Sequence, residues 1–288
     1  MTSPTHVTPD LSTLRDVRAV LARHGLSPDK GFGQNFLIDR HALQAMVEAA
    51  DPPAGATVLE VGPGLGVLTA ALAARDVQLI ALELDARLLP ALHETTDAWP
   101  NVEVRHQDAV TFDHESMPEG SILASNLPYN VATHVLADAL TSGRYARLAV
   151  LVQREVAERI VARPGDEGFG AFSLLVEHFA AARIVRDVAP GCFYPAPKVT
   201  SSIVRLETHP GVKADPRTFG WIRHGFRHRR KTLRKNLIAA GVASDVAADA
   251  LERVGLDVRV RAEALPLSVW YDLAEVLTGT VETARDSV

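Results

Sequence analysis

The chain has 288 residues, 47% of them hydrophobic and 23% charged, which is enough for one large globular domain and a smaller one. It has no apolar run long enough to span a bilayer and no apolar N-terminal signal segment, so we expect a soluble cytoplasmic protein. Cys192 is the single cysteine, which excludes an internal disulfide and a cysteine-cluster metal site, and the net charge of −5 argues against a general nucleic-acid binder.

The N-terminal region contains polar, helical and glycine-rich segments in turn. Residues 1–12 are polar and contain proline, which predicts a flexible tail. "LSTLRDVRAVLARHG" predicts a helix that is capped by Ser12 and ends at Gly25. "DKGFGQNFLID" reads as a glycine-rich loop, and "RHALQAMVEAA" after it predicts a second helix.

From residue 57 onward, short apolar strands alternate with helices. Strands are predicted at "TVLEV", "VQLIALEL", "VEVRH", "SILAS" and "LAVLVQ", and two later strands, "ARIVRDVA" and "SSIVRLE", are expected to complete the sheet. This alternation is typical of an α/β fold with a parallel sheet between helices. The turn-rich segment 208–216 then marks a boundary, which predicts one domain over 13–208 and a helical domain over 209–288.

The first strand–helix junction carries a glycine-rich turn. Gly62, Gly64 and Gly66 follow a buried strand directly and precede a helix, where glycine lets a ligand approach the backbone. A dinucleotide-binding turn would have its third glycine at position 67, which is Val67 here. The spacing G-x-G-x-G instead resembles motif I of S-adenosylmethionine-dependent methyltransferases.

Two acidic residues end the next two strands. Glu83 lies where an acid commonly accepts hydrogen bonds from ribose hydroxyls, and Asp108 lies where an acid could accept from an adenine amino group. Either residue alone would be read as a solvated carboxylate. Because they follow the glycine turn in order, and because parallel strands present their carboxyl ends at one edge, we predict a shared cofactor site.

The segment "NLPYN", residues 126–130, joins a predicted strand to a predicted helix. Methylation of an exocyclic amine needs hydrogen-bond acceptors for its N–H groups and a surface that holds the base in place. The Asn126 side chain and the Pro128 carbonyl could be the acceptors, and the Tyr129 ring could stack on the base. From this segment alone, an ordinary turn with a packing tyrosine is an equally good interpretation.

The segment "RHGFRHRRKTLRK", residues 223–235, contains seven Lys or Arg residues and no acid. Read as helical, it would carry one basic stripe suited to RNA phosphates. The proposed RNA-contacting residues recur at helical spacings: Arg223, Arg227, Arg230, Lys231 and Arg234. A metal site at His224 and His228 is not expected, because no H-E-x-x-H pattern is present and cationic residues surround the pair.

Taken in order, these motifs resemble the ribosomal RNA adenine N6-dimethyltransferase family over nearly the whole chain. They are "GQNFLID", "VLEVGPGLGVLT", "ELD", "QDA", "NLPYN", "FYPAPKVTSSIVRL" and "HRRKTLRKNL". The resemblance implies a Rossmann-like methyltransferase domain with a small α-helical C-terminal domain and S-adenosylmethionine as cofactor. It is greatest to members that dimethylate two adjacent adenosines near the 3′ end of small-subunit (16S) rRNA, so a monomer that acts on the immature small subunit is expected.

The resemblance also implies roles that spacing does not reveal. Asn35 and Leu37 of "GQNFL" and Ala109 of "QDA" would line the cofactor site with Gly62, Gly64, Glu83, Asp108 and Asn126. Phe193 would stack on the target base opposite Tyr129, and Lys198 would lie near the RNA. After "NLPYN" the family often has hydroxyl residues and then proline, whereas this chain has Ala132 and His134.

Two other functions remain possible on the sequence. One is a sister enzyme that methylates large-subunit rRNA and confers macrolide resistance. The long C-terminal segment and the residues of the "GQNFLID" motif favour the small-subunit enzyme over this alternative. The other is a non-catalytic assembly or transcription factor with the same fold. Intact cofactor and "NLPY" motifs argue against this second alternative.

Overall fold

The computed structural model describes residues 11–29, 31 and 33–285, with side chains up to residue 278. The chain forms two compact units. The sheet unit contains the described residues up to Ala157 together with Ala181–Pro210, and the helical unit contains Glu158–Ala180 and the residues from Gly211. Among the helices in these ranges, none is long and apolar enough to cross a membrane.

The sheet unit is built on a sheet that has seven strands within the described residues. They are β2 (Thr57–Val61), β3 (Gln78–Glu83), β4 (Val102–His106), β5 (Ser121–Asn126), β6 (Tyr145–Gln153), β7 (Ala180–Val188) and β9 (Ser201–Thr208). Their order across the sheet is β4-β3-β2-β5-β6-β9-β7. Two further short strands, β1 (Phe36–Leu37) and β8 (Phe193–Tyr194), form an antiparallel pair of their own.

Strand direction follows the alternation of strands and helices. Strands β2 to β6 pair in parallel, as predicted. Strand β9 runs antiparallel to β6, so the prediction of a parallel sheet is wrong for this strand. Strand β9 lies between β6 and β7 in the sheet, and only a 3-10 turn and β8, without a helix, separate β7 from β9 along the chain. A parallel pair usually needs a helical crossover, so this short connection favours β9 as an antiparallel neighbour of β7 rather than as a continuation of the parallel order.

Helices of the sheet unit follow the sequence pattern closely. They are α1 (Leu14–Arg23), α2 (Arg40–Ala50), α3 (Val67–Ala73), α4 (Leu89–Thr96), α5 (Ala132–Ser142) and α6 (Arg154–Val161), the last of which runs into the helical unit. The predicted cap at Ser12 is wrong, because the Thr13 side chain accepts from the Asp16 amide and α1 begins one residue later. Residues 1–10 of the predicted tail lie outside the described residues, whereas Leu11 is buried in the sheet unit.

The helical unit contains α7 (Ala171–Phe179), α8 (Pro216–Gly225), α9 (Leu233–Ala239), α10 (Ser244–Arg253) and α11 (Leu267–Arg285). Helix α7 was not predicted from the sequence pattern, and residues 158–180 were predicted to belong to the first domain. Phe169 and Leu174 pack in the same core cluster as Phe219, Leu237 and Trp270, which explains why this segment groups with the C-terminal helices.

The basic segment 223–235 is not one helix, so the predicted single stripe is wrong. Helix α8 ends at Gly225, where an added Cβ atom would lie 2.2 Å from the Trp270 ring. A turn follows over 226–232 before α9 begins. Asn236 is buried, and its Nδ2 donates to the carbonyls of Gly225 at 2.6 Å and His228 at 3.2 Å, which holds the turn in shape.

Candidate active site

A cavity of about 240 Å³ lies in the sheet unit, at the carboxyl ends of the parallel strands. Open α/β sheets bind ligands at this edge, because the loops after successive strands converge there. The cavity is lined by the sequence-predicted residues Asn35, Leu37, Gly62, Gly64, Glu83, Asp108, Ala109, Asn126, Pro128 and Tyr129. The fold therefore brings the predicted cofactor residues and the "NLPY" segment into one space.

The glycine turn after β2 is in close contact with two other motifs. Gly62 has φ +67°, and an added Cβ atom would meet the Pro128 ring at 3.2 Å. Gly64 has φ +60°, and its Cβ would meet the Phe36 ring at 3.0 Å. Side chains at these positions would be strained by the backbone and crowded by their neighbours. Glycine is therefore needed for "NLPY" and "GQNFL" to pack on the glycine turn.

Glu83 ends β3 and holds this turn. One carboxylate oxygen accepts from the Gly64 amide at 3.1 Å and the other from the Asp85 amide at 2.8 Å. Burial raises the pKa of Glu83, and the two backbone hydrogen bonds oppose that shift. Each oxygen can accept more than one hydrogen bond, so the predicted bond to a ribose hydroxyl stays a prediction.

Glu60 lines the cavity and was not among the predicted site residues. It is 2% exposed on β2, and its Oε2 atom has no hydrogen-bond partner within the described part of the chain. Burial raises its pKa to about 8. An unpartnered buried carboxyl oxygen in a cavity wall is suited to a ligand that forms a hydrogen bond with it. An acid within the apolar run "TVLEV" was the available signal.

Asn126 is oriented by the "GQNFL" loop. Its Nδ2 atom donates to the backbone carbonyl of Asn35 at 3.1 Å. Since only the amide nitrogen can donate, this bond assigns the nitrogen and leaves the amide oxygen as an acceptor. The side chain of Asn35 bonds to the Gly33 carbonyl, so its backbone is the part that serves Asn126.

Pro128 and Tyr129 follow in the same loop. The Pro128 carbonyl accepts from the Val131 amide at 3.2 Å, which uses one of its two lone pairs and leaves the other for a ligand. Tyr129 lines the cavity, and its hydroxyl lies 2.7 Å from the Ser201 hydroxyl. Burial raises the pKa of Tyr129, so the phenol stays protonated at neutral pH.

Asp108 and Ala109 follow β4 and line the edge of the cavity, which is the position predicted for them. One oxygen of Asp108 accepts from the Val110 amide at 2.9 Å and caps a short 3-10 turn. Ala109 is 8% exposed and adds a small apolar surface beside it. The predicted hydrogen bond from an adenine amino group would use the remaining acceptor capacity of Asp108.

Phe193 is placed differently from its predicted role. It lies on β8 opposite Leu37 of β1, is 3% exposed and packs in the core cluster of the sheet unit. It is not among the residues that line the described cavity. The strand pairing turns the ring into the core, so this arrangement does not support stacking on a base opposite Tyr129.

A polar network ties the loop before β1 to the end of β3. The Gln34 side chain accepts from the Asp29 amide and donates to Asp85, both at 2.8 Å. Arg87 bridges Asp85 and Asp29 with contacts of 2.7 and 2.8 Å. This network was not predicted, because its members meet only in the folded protein. The most distant two, Asp29 and Arg87, are 58 residues apart along the chain.

The predicted RNA-contacting residues fall in two places. Lys198 is exposed in the sheet unit, between β8 and β9. In the helical unit, Arg223, Arg227, Arg230 and Lys231 are exposed at the end of α8 and in the turn. Arg234 differs, because it is half-buried and its guanidinium donates to the Ser244 side chain at 2.8 Å, so it supports α10. In the described ranges, no group of three or more His, Cys, Asp or Glu side chains is placed to hold a metal ion.

Fold and site together define a Rossmann-like methyltransferase. The family model described as "Ribosomal RNA adenine dimethylase" matches residues 26–278. The chain therefore belongs to the ribosomal RNA adenine dimethylase family.

Curated relatives and solved structures agree with this assignment. "Ribosomal RNA small subunit methyltransferase A" of Deinococcus radiodurans is 45% identical over 255 residues, covering 88% of this chain and 86% of the relative. The protein of the same name from Geobacillus thermodenitrificans is 36% identical over 284 residues, covering 93% and 97%.

Among solved structures, the chain is similar to 23S rRNA methyltransferase ErmE, with a TM-score of 0.66, 26% identity and coverage of 85% and 100%. The structure of a dimethyladenosine transferase from Plasmodium falciparum matches with a TM-score of 0.70 and 23% identity. The match covers 82% of this chain and 95% of that chain, and it supports the fold.

Proposed function

We propose that this protein dimethylates the N6 amines of two adjacent adenosines near the 3′ end of small-subunit (16S) rRNA, with S-adenosylmethionine as methyl donor. The observation that carries the proposal is that Asn126, Pro128 and Tyr129 share one cavity with the glycine turn and Glu83. The names of the relatives, which are small-subunit rRNA methyltransferases, support the choice of substrate. The substrate places the reaction in the cytoplasm, as part of ribosome biogenesis.

Four features of the cavity fit the proposed cofactor. The Gly62 and Gly64 backbone lines it without side chains, and the buried Oε2 atom of Glu60 lacks a partner within the described residues. Glu83 and Asp108 keep acceptor capacity for ribose hydroxyls and an adenine amine. Asn35, Leu37 and Ala109 also line the cavity. When bound, S-adenosylmethionine supplies an electrophilic methyl group.

The reacting adenine amine is a poor nucleophile, because its nitrogen lone pair is delocalised into the ring. The Asn126 oxygen and the free lone pair of the Pro128 carbonyl would accept its two N–H bonds and favour a tetrahedral nitrogen. They would also stabilise the positive charge that develops there, and preorganised acceptors of this kind need no reorganisation during the reaction. The Tyr129 ring would hold the base by stacking, which is worth roughly 1–3 kcal/mol.

RNA binding is proposed for the basic turn of the helical unit and for Lys198. Exposed arginine and lysine side chains contact phosphates and give salt-dependent affinity with little sequence information. Arg223, Arg227, Arg230 and Lys231 meet this description, whereas Arg234 has a structural partner. The target adenines would be selected by the shape of the rRNA and by their accessibility.

The test is methyl transfer from radiolabelled cofactor to immature small subunits that lack the modification, with large subunits in a parallel reaction. N6,N6-Dimethyladenosine in the small-subunit rRNA is the expected product. Labelling of large-subunit rRNA alone would favour a resistance-type enzyme, and cofactor binding without transfer to either subunit would refute the proposal. Calorimetry with the cofactor alone separates a failure of binding from a failure of catalysis.

A further inference from the structure

The hydroxyl groups of Tyr129 and Ser201 form a hydrogen bond of 2.7 Å. Tyr129 belongs to the loop after β5, and Ser201 is the first residue of β9, 72 residues further along the chain. The bond therefore joins the candidate base-stacking residue to a different strand of the sheet. Neither the resemblance nor the sequence pattern assigns a role to Ser201.

Ser201 is a rigid anchor. Its side chain is fully buried, and it lies in register with Gln153 where β9 pairs with β6. The preceding residue also contributes to this pairing, because the Thr200 carbonyl accepts from the Arg154 amide at 3.0 Å. The backbone of Ser201 is thus held by sheet hydrogen bonds, and burial restricts the side chain that carries the hydroxyl.

Tyr129 needs such an anchor, because its backbone lies in a connection rather than in a strand or helix. A tyrosine ring that is held only through its Cβ atom can turn about two side-chain torsions. A hydrogen bond at the hydroxyl fixes the far end of the ring axis and so restrains the first torsion. The second torsion turns the ring about this same axis and leaves the hydroxyl oxygen in place, so the bond fixes where the ring lies before a base arrives.

We propose that Ser201 is a positioning residue that holds the ring axis of Tyr129 in place for stacking on the target adenine. The inference rests on the proposed function, because it takes Tyr129 as the stacking surface. Base stacking restrains the amine in line with the methyl donor, so a ring that is free to tilt lowers the fraction of productive complexes. Ser201 itself need not touch the base.

The neighbouring residue gives a matched control. Ser202 is also fully buried, and adjacent strand residues point to opposite faces of the sheet. Its hydroxyl donates to Asp187 at 2.6 Å, away from Tyr129. Ser201→Ala and Ser202→Ala therefore remove the same atom from equally buried positions, and only the first removes the partner of Tyr129.

The experiment measures single-turnover methyl transfer to immature small subunits at saturating enzyme and cofactor. The variants are Ser201→Ala, Ser201→Thr, Ser202→Ala, Tyr129→Phe and the double variant Ser201→Ala/Tyr129→Phe. We expect Ser201→Ala to lower the rate constant about tenfold, which corresponds to about 1.4 kcal/mol, with little change in the half-saturating concentration of subunits. Ser201→Thr should retain most of the rate, and Ser202→Ala should match the wild type.

The double variant tests whether Ser201 acts through Tyr129. If Ser201 acts through the tyrosine hydroxyl, Tyr129→Phe and the double variant should lose activity by the same factor. Losses that multiply would overturn the proposal, as would a wild-type rate for Ser201→Ala or an equal loss for Ser202→Ala. Thermal unfolding and calorimetric cofactor affinity identify a variant that is misfolded. Should Ser201→Ala misfold, a wild-type rate for Tyr129→Phe would still refute the inference.

A failure of the proposed function would be distinguishable from a failure of this inference. If the wild-type protein transfers no methyl groups to small subunits, the proposed function is wrong. If the wild type is active and only the predicted coupling is missing, the proposed function stands and Ser201 has a structural role alone.

Discussion

Replacement of Asn126 by alanine tests the central catalytic assignment. The Asn126 amide nitrogen bonds to the Asn35 carbonyl at 3.1 Å, so the oxygen on the same group is the atom available to a substrate amine. Loss of one preorganised acceptor or donor typically lowers a rate by about 10²–10³-fold. The lost bond to Asn35 should cost about 1 kcal/mol of folding free energy, which a stable domain tolerates.

The assay is single-turnover methyl transfer to immature small subunits, with urea unfolding and calorimetric cofactor titration on the same preparation. Asn126→Ala should unfold cooperatively and bind cofactor with a modestly reduced affinity while transfer falls about 10²–10³-fold. Asn130→Ala makes the same change at the exposed end of the motif and should change the rate much less. A rate for Asn126→Ala close to that of the wild type would refute the acceptor role.

Asn126→Asp separates orientation from acceptor capacity. Aspartate keeps two acceptor oxygens but has no donor for the Asn35 carbonyl. One of its oxygens would therefore face the carbonyl oxygen of Asn35 at about the 3.1 Å that the present hydrogen bond spans. The side chain should turn away and transfer should fall as it does in the alanine variant. Wild-type activity in this variant would show that the bond to Asn35 does not orient the catalytic group.

Three further predictions concern Glu60, the glycine turn and the basic turn. Because burial raises the pKa of Glu60 from 4.5 to about 8, the folded state holds a proton that the unfolded state releases. As pH rises from 4.5 to about 8, the free energy of unfolding of the wild type should fall relative to that of Glu60→Gln by a few kcal/mol, as an order-of-magnitude value. If the free energies of both proteins, measured by urea unfolding, change in parallel with pH, the assignment is contradicted. Gly62→Ala should lower the melting temperature and weaken cofactor binding in calorimetry. Gly55→Ala, which has a similar φ of +77° but nothing within 4 Å of its Cβ, should only lower the melting temperature. Arg230→Ala should weaken binding to small subunits and reduce the slope of log K against log salt by about one, without loss of thermal stability. Arg234→Ala should instead lower the melting temperature, because its guanidinium bonds to Ser244. The reverse pattern would be inconsistent with the contacts of the two residues.

Local patterns were sufficient for much of the sheet unit. Strand β2 and helix α2 have the bounds that their sequences predicted, because apolar runs and an Asp39 cap act over a few residues. The order of "GPGLG", Glu83, Asp108 and "NLPYN" also predicted a common site. Parallel strands place their carboxyl ends together, so residues that follow them converge without any need for knowledge of the packing.

Other features depended on contacts between distant segments. Phe193 was expected at the base, but pairing of β8 with β1 turns it into the core. The basic segment has helical spacing throughout, yet α8 ends at Gly225, where the Trp270 ring occupies the space that a side chain on residue 225 would need.

The amino-acid sequence by itself determined the family, the class of reaction and ten of the residues that line the cavity, since these follow from short motifs and from strand polarity. Only the tertiary structure decided how those residues are oriented. It showed that Asn35 turns the amide of Asn126, that Ser201 holds the hydroxyl of Tyr129, and that Arg234 supports a helix. Such roles depend on which atoms meet across 10 to 91 residues of chain, and hydrogen bonds of that kind leave no periodic trace in a sequence.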